Sequence, residues 1–198
     1  MSTPLTIENY PSPNFDAREA GTPVDMLVIH YTGMLSGEEA LARLTDIEWE
    51  VSAHYIIEED GRVFRLVAEE HRAWHAGVSY WRGHRNINAR SIGIELVNPG
   101  HEFGYRPFLE AQMRALEILA TDILSRYPIP PRNVVGHSDI APTRKNDPGE
   151  LFDWRSLAGK GIGHWPERAT HGPDNIMDAL SFIGYDIQDY ALAVAAFQ

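Results

Sequence analysis

Residues 136–149, GHSDIAPTRKNDPG, gather a histidine, two aspartates and a lysine in a segment that Pro142 and Pro148 keep from forming one continuous helix. Such a segment is either a solvated turn or one wall of a metal-centred active site. Catalytic zinc is held by three protein ligands, with a fourth position open to water or substrate. The chain has no cysteine, so any metal has to be held by His, Asp or Glu. His30 lies near the end of the apolar run DMLVIHYT, and His137 lies just past Val134 and Val135, so both are expected where strands run out. Asp147 follows His137 across the proline-rich loop and could fold back toward it. Spacing alone leaves each of these side chains open to an ordinary surface or core role.

Metal-assisted hydrolysis also needs a base for water and a cation or dipole for the oxyanion. Glu95 sits in the β-branched run SIGIELVN, on the opposite face from Ile92 and Ile94, and a carboxylate on a central strand needs a reason. Lys145 precedes Asp147 by two residues, which in an extended segment points both side chains the same way. Glu95 and Lys145 could therefore supply the base and the cation, although a loop lysine is ordinarily a solvated one.

The elements that would carry these groups can be read from periodicity and turn chemistry. DMLVIHYT and SIGIELVN read as buried strands, and residues 38–48 as an amphipathic helix. SAHYIIEEDGRVFRLVAEE reads as two antiparallel strands turning at Asp60 and Gly61, since a tight hairpin favours an Asp-Gly pair. Residues 107–127 have Pro at the opening turn and apolar residues at helical spacing. The arm 1–23 reads as irregular, residues 166–173 as a turn-rich linker, and the tail as two short helices split at Gly184. HRAWHAGVSYWRGHRNINAR has no clean periodicity but carries three of the nine histidines.

At 198 residues the chain has room for one main domain. Its net charge of −11 opposes binding to nucleic acid or anionic lipid, which need clustered cations. The start MSTPLTIENYPSPNFDAR has no basic and apolar export pattern, and no run is long enough to span a membrane. A cytoplasmic monomer is the resulting expectation, with the periplasm or a lipid anchor the alternative if an export signal has been removed.

VIHYT, SAHYII, AWHAG, SIGIEL and GHSDIAPTRKNDPG occur in the order and spacing of the zinc-dependent N-acetylmuramoyl-L-alanine amidases of the type-2 family. The chain resembles the AmiD/AmpD-like branch over roughly residues 20–168. The resemblance implies an α/β fold with a central mixed sheet flanked by helices, with a catalytic domain over residues 1–168. It implies zinc ligands at His30, His137 and Asp147, with Glu95 as catalytic base and Lys145 polarising the scissile carbonyl. The implied reaction is direct hydrolysis, without a covalent enzyme intermediate, of the amide joining N-acetylmuramic acid to L-alanine in peptidoglycan or muropeptides. His54 and His75 match positions near the cleft, where supporting the ligands or packing is their ordinary reading; Trp74 and Trp81 could line the groove, although tryptophan is more often core, and Trp74 and His75 are the possible substrate contacts.

Residues 169–198 resemble the first part of a peptidoglycan-binding module, giving a short helical C-terminal extension. One departure concerns the stem peptide. The related enzymes place a basic residue shortly before SIGIEL, whereas here Asn86 stands at that point, with Arg85 one place off and Arg90 a possible substitute. Two other readings compete with the amidase. One is a peptidoglycan recognition protein that binds without cleaving. The other is a zinc peptidase, whose usual His-Glu-x-x-His cue is absent.

Overall fold

The computed structural model describes residues 5–165 and 175–197. Its eight strands are β1 (Ile7–Asn9), β2 (Phe15–Ala17), β3 (Met26–Tyr31), β4 (Tyr55–Ile57), β5 (Val63–Arg65), β6 (His71–Ala73), β7 (Ser91–Leu96) and β8 (Val134–Gly136). Six of them form one mixed sheet in the order β1, β5, β4, β7, β3, β8, and β2 pairs with β6 in a small antiparallel sheet. Strands β4, β7, β3 and β8 run parallel; β5 is antiparallel to β4 and carries β1 parallel on its outer edge. The helices are α1 (Gly37–Thr45), α2 (Ile87–Arg90), α3 (Gly100–Phe103), α4 (Glu110–Arg126), α5 (His137–Ile140), α6 (Trp154–Ala158), α7 (Ile176–Ile183) and α8 (Tyr190–Phe197).

The expected mixed sheet flanked by helices is present, and so is the hairpin. Gly61, at φ +89°, donates its N–H to the Glu58 carbonyl at 2.9 Å between β4 and β5. The amino-terminal arm differs from the irregular expectation, since β1 and β2 lie within it. Both are three-residue strands with exposed or half-exposed side chains, so they carry no buried-face pattern and depend on pairing with β5 and β6.

Alternation along the parallel strands sorts side chains into two cores. Leu27, Ile29, Ile92, Ile94 and Leu96 face α4, which buries Ala115, Leu116, Leu119, Ala120 and Ile123 against them. Full burial of each large aliphatic side chain contributes about 1.5–3 kcal/mol, so this layer anchors β3 and β7 firmly. Buried Gln112 fastens the helix as well, donating to the carbonyls of Ile57 at 2.9 Å and Val97 at 3.0 Å. On the other face Met26, Val28 and Val135 pack with Trp81, Ile87 and Ile140. That same cluster takes in Leu180 and Ala193 from the C-terminal helices and Tyr185 from the link between them.

The extension is therefore docked on the main core. Arg82 donates to the Phe182 carbonyl at 3.1 Å, and Trp81 stands edge-on to Tyr185 at 5.2 Å between ring centres. A Cβ at Gly184 would come within 2.5 Å of Arg82 Cγ, so the chain reverses there without a side chain. The expected linker at 166–173 and the expected boundary at 168/169 lie outside the described residues.

Candidate active site

Alternation puts Ser91, Gly93 and Glu95 on one face of β7 and His30 on the same face of β3, because their even-stepped neighbours are committed to α4. The parallel register sets His30 directly beside Glu95. On the far side of β3, strand β8 ends at Gly136 and delivers His137 as the first residue of α5. A Cβ at Gly136 would lie 2.6 Å from Pro148 Cδ, so glycine admits the returning loop. The Ser138 N–H donates to the Asp147 carbonyl at 2.8 Å, and the Tyr105 hydroxyl donates to the Pro148 carbonyl at 2.6 Å. Those bonds hold Asp147 over the strand ends.

Three donor atoms converge there. His30 Nδ1 and His137 Nδ1 are 2.9 Å apart, and each lies 3.1 Å from Asp147 Oδ2. All three residues are buried. A tetrahedral ion with bonds of about 2.0–2.1 Å spaces its ligands about 3.3 Å apart, close to these separations. Two nitrogens and a carboxylate oxygen are also a donor set that suits zinc. With no cation between them, two lone pairs and an anionic oxygen would face one another. The residues present therefore fit a metal, and His30, His137 and Asp147 form the group able to hold one among the described residues.

The outward nitrogens are tied down. His137 Nε2 lies 3.2 Å from the Ala76 carbonyl, which only accepts, so Nε2 carries the proton and Nδ1 is bare. The Arg144 guanidinium donates to the same carbonyl and, at 2.9 Å, to that of Val78, joining the loop after His75 to the metal loop. His30 Nε2 lies 3.0 Å from His75 Nδ1. Burial, then the charge of His137, lowers His30 to about 4, leaving it neutral near pH 7. Burial would raise the Asp147 carboxyl, but the His137 and then the His30 imidazole facing it outweigh burial and hold the group well below the usual carboxylate range.

Glu95 is half-buried, and its Oε2 is occluded with no hydrogen-bond partner among the described residues. Burial and then the Asp147 charge push its carboxyl well above the ordinary range, with Lys145 opposing. An unpartnered carboxylate oxygen beside the donor cluster is costly unless something it serves arrives. Lys145 is half-buried, has no ion-pair partner among the described residues, and lies near enough for its charge to act on both Glu95 and His30.

The expected contacts farther out are placed differently from one another. Trp74 is half-buried, with its backbone N–H donating to Ser52 Oγ at 2.9 Å. His75 is buried, with both ring nitrogens in hydrogen bonds to protein, which leaves no free donor or acceptor for a ligand. Arg90 is paired with Asp25, its Nε donating at 2.8 Å, so it is not free for a peptide carboxylate. Arg85 leans on the Tyr80 ring and lies 3.6 Å from Asp186. Sequence reasoning missed Ser91, the Ala76 carbonyl and the part-buried Tyr185–Asp139 hydrogen bond, which acts on the helix carrying His137. The quoted motifs AWHAG and SIGIEL contain the first two, but nothing in them gives the contacts.

Comparison with known proteins adds the family. The family model described as N-acetylmuramoyl-L-alanine amidase matches residues 20–150. The N-acetylmuramoyl-L-alanine amidase AmiD of Escherichia coli is 43% identical over 197 residues, spanning 87% of this chain and 70% of that protein. The 1,6-anhydro-N-acetylmuramyl-L-alanine amidase AmpD of Haemophilus influenzae is 37% identical over 161 residues, spanning 72% and 85%. Among solved structures, that of AmiD from Escherichia coli with its substrate anhydro-N-acetylmuramic acid-L-Ala-D-gamma-Glu-L-Lys superposes with a TM-score of 0.73 at 42% identity, covering 86% of this chain and 76% of that one. AmpDh3 from Pseudomonas aeruginosa gives a TM-score of 0.80 at 36% identity, covering 91% and 84%. The fold, the convergent His-His-Asp group and these matches agree: the chain belongs to the type-2 family of N-acetylmuramoyl-L-alanine amidases.

Proposed function

We propose that this chain hydrolyses the amide between N-acetylmuramic acid and L-alanine in peptidoglycan or the muropeptides derived from it. The observation that carries the proposal is the convergence of His30 Nδ1, His137 Nδ1 and Asp147 Oδ2 beside Glu95 with its unpartnered oxygen. The relatives named for this activity support it, and so does the relative solved with a muropeptide substrate.

In this reading His30, His137 and Asp147 would hold a zinc ion, which would supply Lewis acidity to the amide carbonyl and to water. Glu95 accepts the proton of the attacking water as the new C–O bond forms, and gives it to the leaving amine as the C–N bond breaks. The Lys145 ammonium stabilises the negative charge gathered on the carbonyl oxygen. Burial of the donor group strengthens both effects, since charges interact more strongly where water is scarce. Every group comes from one chain, which supports a monomer as the working unit. Among the described residues no helix is long and apolar enough to cross a membrane.

Mass spectrometry of digested muropeptides tests the reaction. Free stem peptide beginning with L-alanine is expected. Cleavage within the peptide would indicate a peptidase, and binding without any release would indicate a recognition protein.

A further inference from the structure

We propose that His75 is a positioning residue which, with Ser91, holds His30 in the tautomer whose bare Nδ1 faces the metal site. The inference deepens the reading of His30 as a metal ligand and rests on it.

The proton positions follow from a chain of contacts that begins at a group able only to accept. The Ser91 hydroxyl lies 2.7 Å from the Ile87 carbonyl and donates to it. Its single proton is thereby spent, so at the 3.1 Å contact between Ser91 Oγ and His75 Nε2 the imidazole is the donor. A neutral His75 protonated at Nε2 has a lone pair on Nδ1. That lone pair faces His30 Nε2 at 3.0 Å, and two lone pairs would repel there, so His30 carries its proton on Nε2. His30 Nδ1 is then bare, in the direction of His137 Nδ1 and Asp147 Oδ2.

The support is also steric. The His75 ring lies flat on the bare backbone of β7, where a Cβ at Gly93 would meet His75 Cγ at 2.5 Å and Nδ1 at 2.6 Å. Backbone N–H groups of His75 and Ala76 donate to Asn88 Oδ1 at 3.1 and 2.7 Å, fixing the loop that carries the ring. His75 and the Ala76 carbonyl are adjacent, so one short segment sets both imidazoles: His75 that of His30, and the carbonyl that of His137. Along β7 the alternate residues divide the work, with Ser91 orienting His75, Gly93 making room for it and Glu95 reaching the site. Partners of this kind usually alter metal affinity by about 10–100-fold when removed.

Two measurements test the relay. Nitrogen-15 NMR of the metal-free protein, with His30 assigned, should report Nε2 protonated and Nδ1 bare, and Ser91→Ala should mix the tautomers. Competition with a chromophoric chelator should find zinc binding weakened about 10–100-fold in His75→Ala. His75→Asn should recover most of that loss, because its Oδ1 can stand in for Nδ1 as acceptor. The proposal is overturned if metal-free His30 carries its proton on Nδ1. It is equally overturned if folded His75→Ala binds zinc as the parent does and only KM rises, which would mark a substrate contact instead. The tautomer measurement needs no metal, so it decides the relay even for a chain that fails to bind zinc.

Discussion

Gly93→Ala is a one-carbon change whose effect can be worked from the packing. The residue lies within β7 without a positive φ, so alanine meets no backbone penalty there. The whole cost is the collision of the new Cβ with the His75 ring at 2.5–2.7 Å, well inside van der Waals contact. The ring has little freedom to retreat, because it is buried and hydrogen-bonded through Nδ1 to His30 and through Nε2 to Ser91. Overpacking a filled core by one carbon costs about 1–3 kcal/mol. For a chain of this length each kcal/mol lowers Tm by about 2–4 °C, so the metal-free variant should melt about 2–12 °C below the parent. Displacing His75 should also weaken zinc binding, because His30 loses its partner. Thermal unfolding of the metal-free proteins and chelator competition read the two effects separately. An alanine variant with the parent's Tm and zinc affinity would refute the packing argument and the positioning of His30 with it.

Four further outcomes follow from the same geometry. Glu95→Gln should keep zinc, by elemental analysis, while turnover falls about 10²–10⁴-fold, as expected when a proton acceptor is removed and no ligand is lost; near-parental turnover would make Glu95 structural. Lys145→Met should lower kcat about 10²–10³-fold with little change in KM, and a change confined to KM would contradict an oxyanion role. Tyr185→Phe leaves the part-buried Asp139 Oδ1 without its donor and should cost about 1–3 kcal/mol in urea unfolding, while an unchanged midpoint would show that this bond does not matter. Burial and then the Arg18 charge lower His54 from 6.5 to about 3, so below pH 6.5 the unfolded chain takes up a proton that the folded chain refuses. Metal-free stability from this group is therefore full above pH 6.5 and falls toward pH 3 by up to about 1.4 kcal/mol per pH unit, a slope that His54→Asn should reduce and that would otherwise be unchanged.

The parts of the fold legible in the sequence are those where burial imposes a pattern. Ile92 and Ile94 alternate with Gly93 and Glu95 because one face of β7 packs on α4, and that alternation singled out Glu95. The helix expected at 107–127 begins at Glu110, since Pro107, Phe108 and Leu109 lead into it. His30 and His137 were placed at strand ends by the apolar runs that precede them. Their convergence was not legible from spacing, because it depends on β8 lying next to β3 and on the loop after His137 folding back. A place for His75 behind the ligands was open from the sequence, but its partners were not, since Ser91 and Gly93 belong to a strand it only meets in the fold. Arg90 reads from sequence as a possible partner for a peptide carboxylate, but Asp25, just before β3, occupies it.

The most direct test of the central claim is to follow zinc content and release of L-alanine-terminated peptide from purified muropeptides together, through chelator treatment and zinc restoration. The account predicts that release tracks zinc toward one ion per chain and returns when the metal is restored. A zinc-loaded, folded chain that binds muropeptide and releases no peptide would contradict it, and would leave the His30, His137 and Asp147 cluster as part of a recognition site.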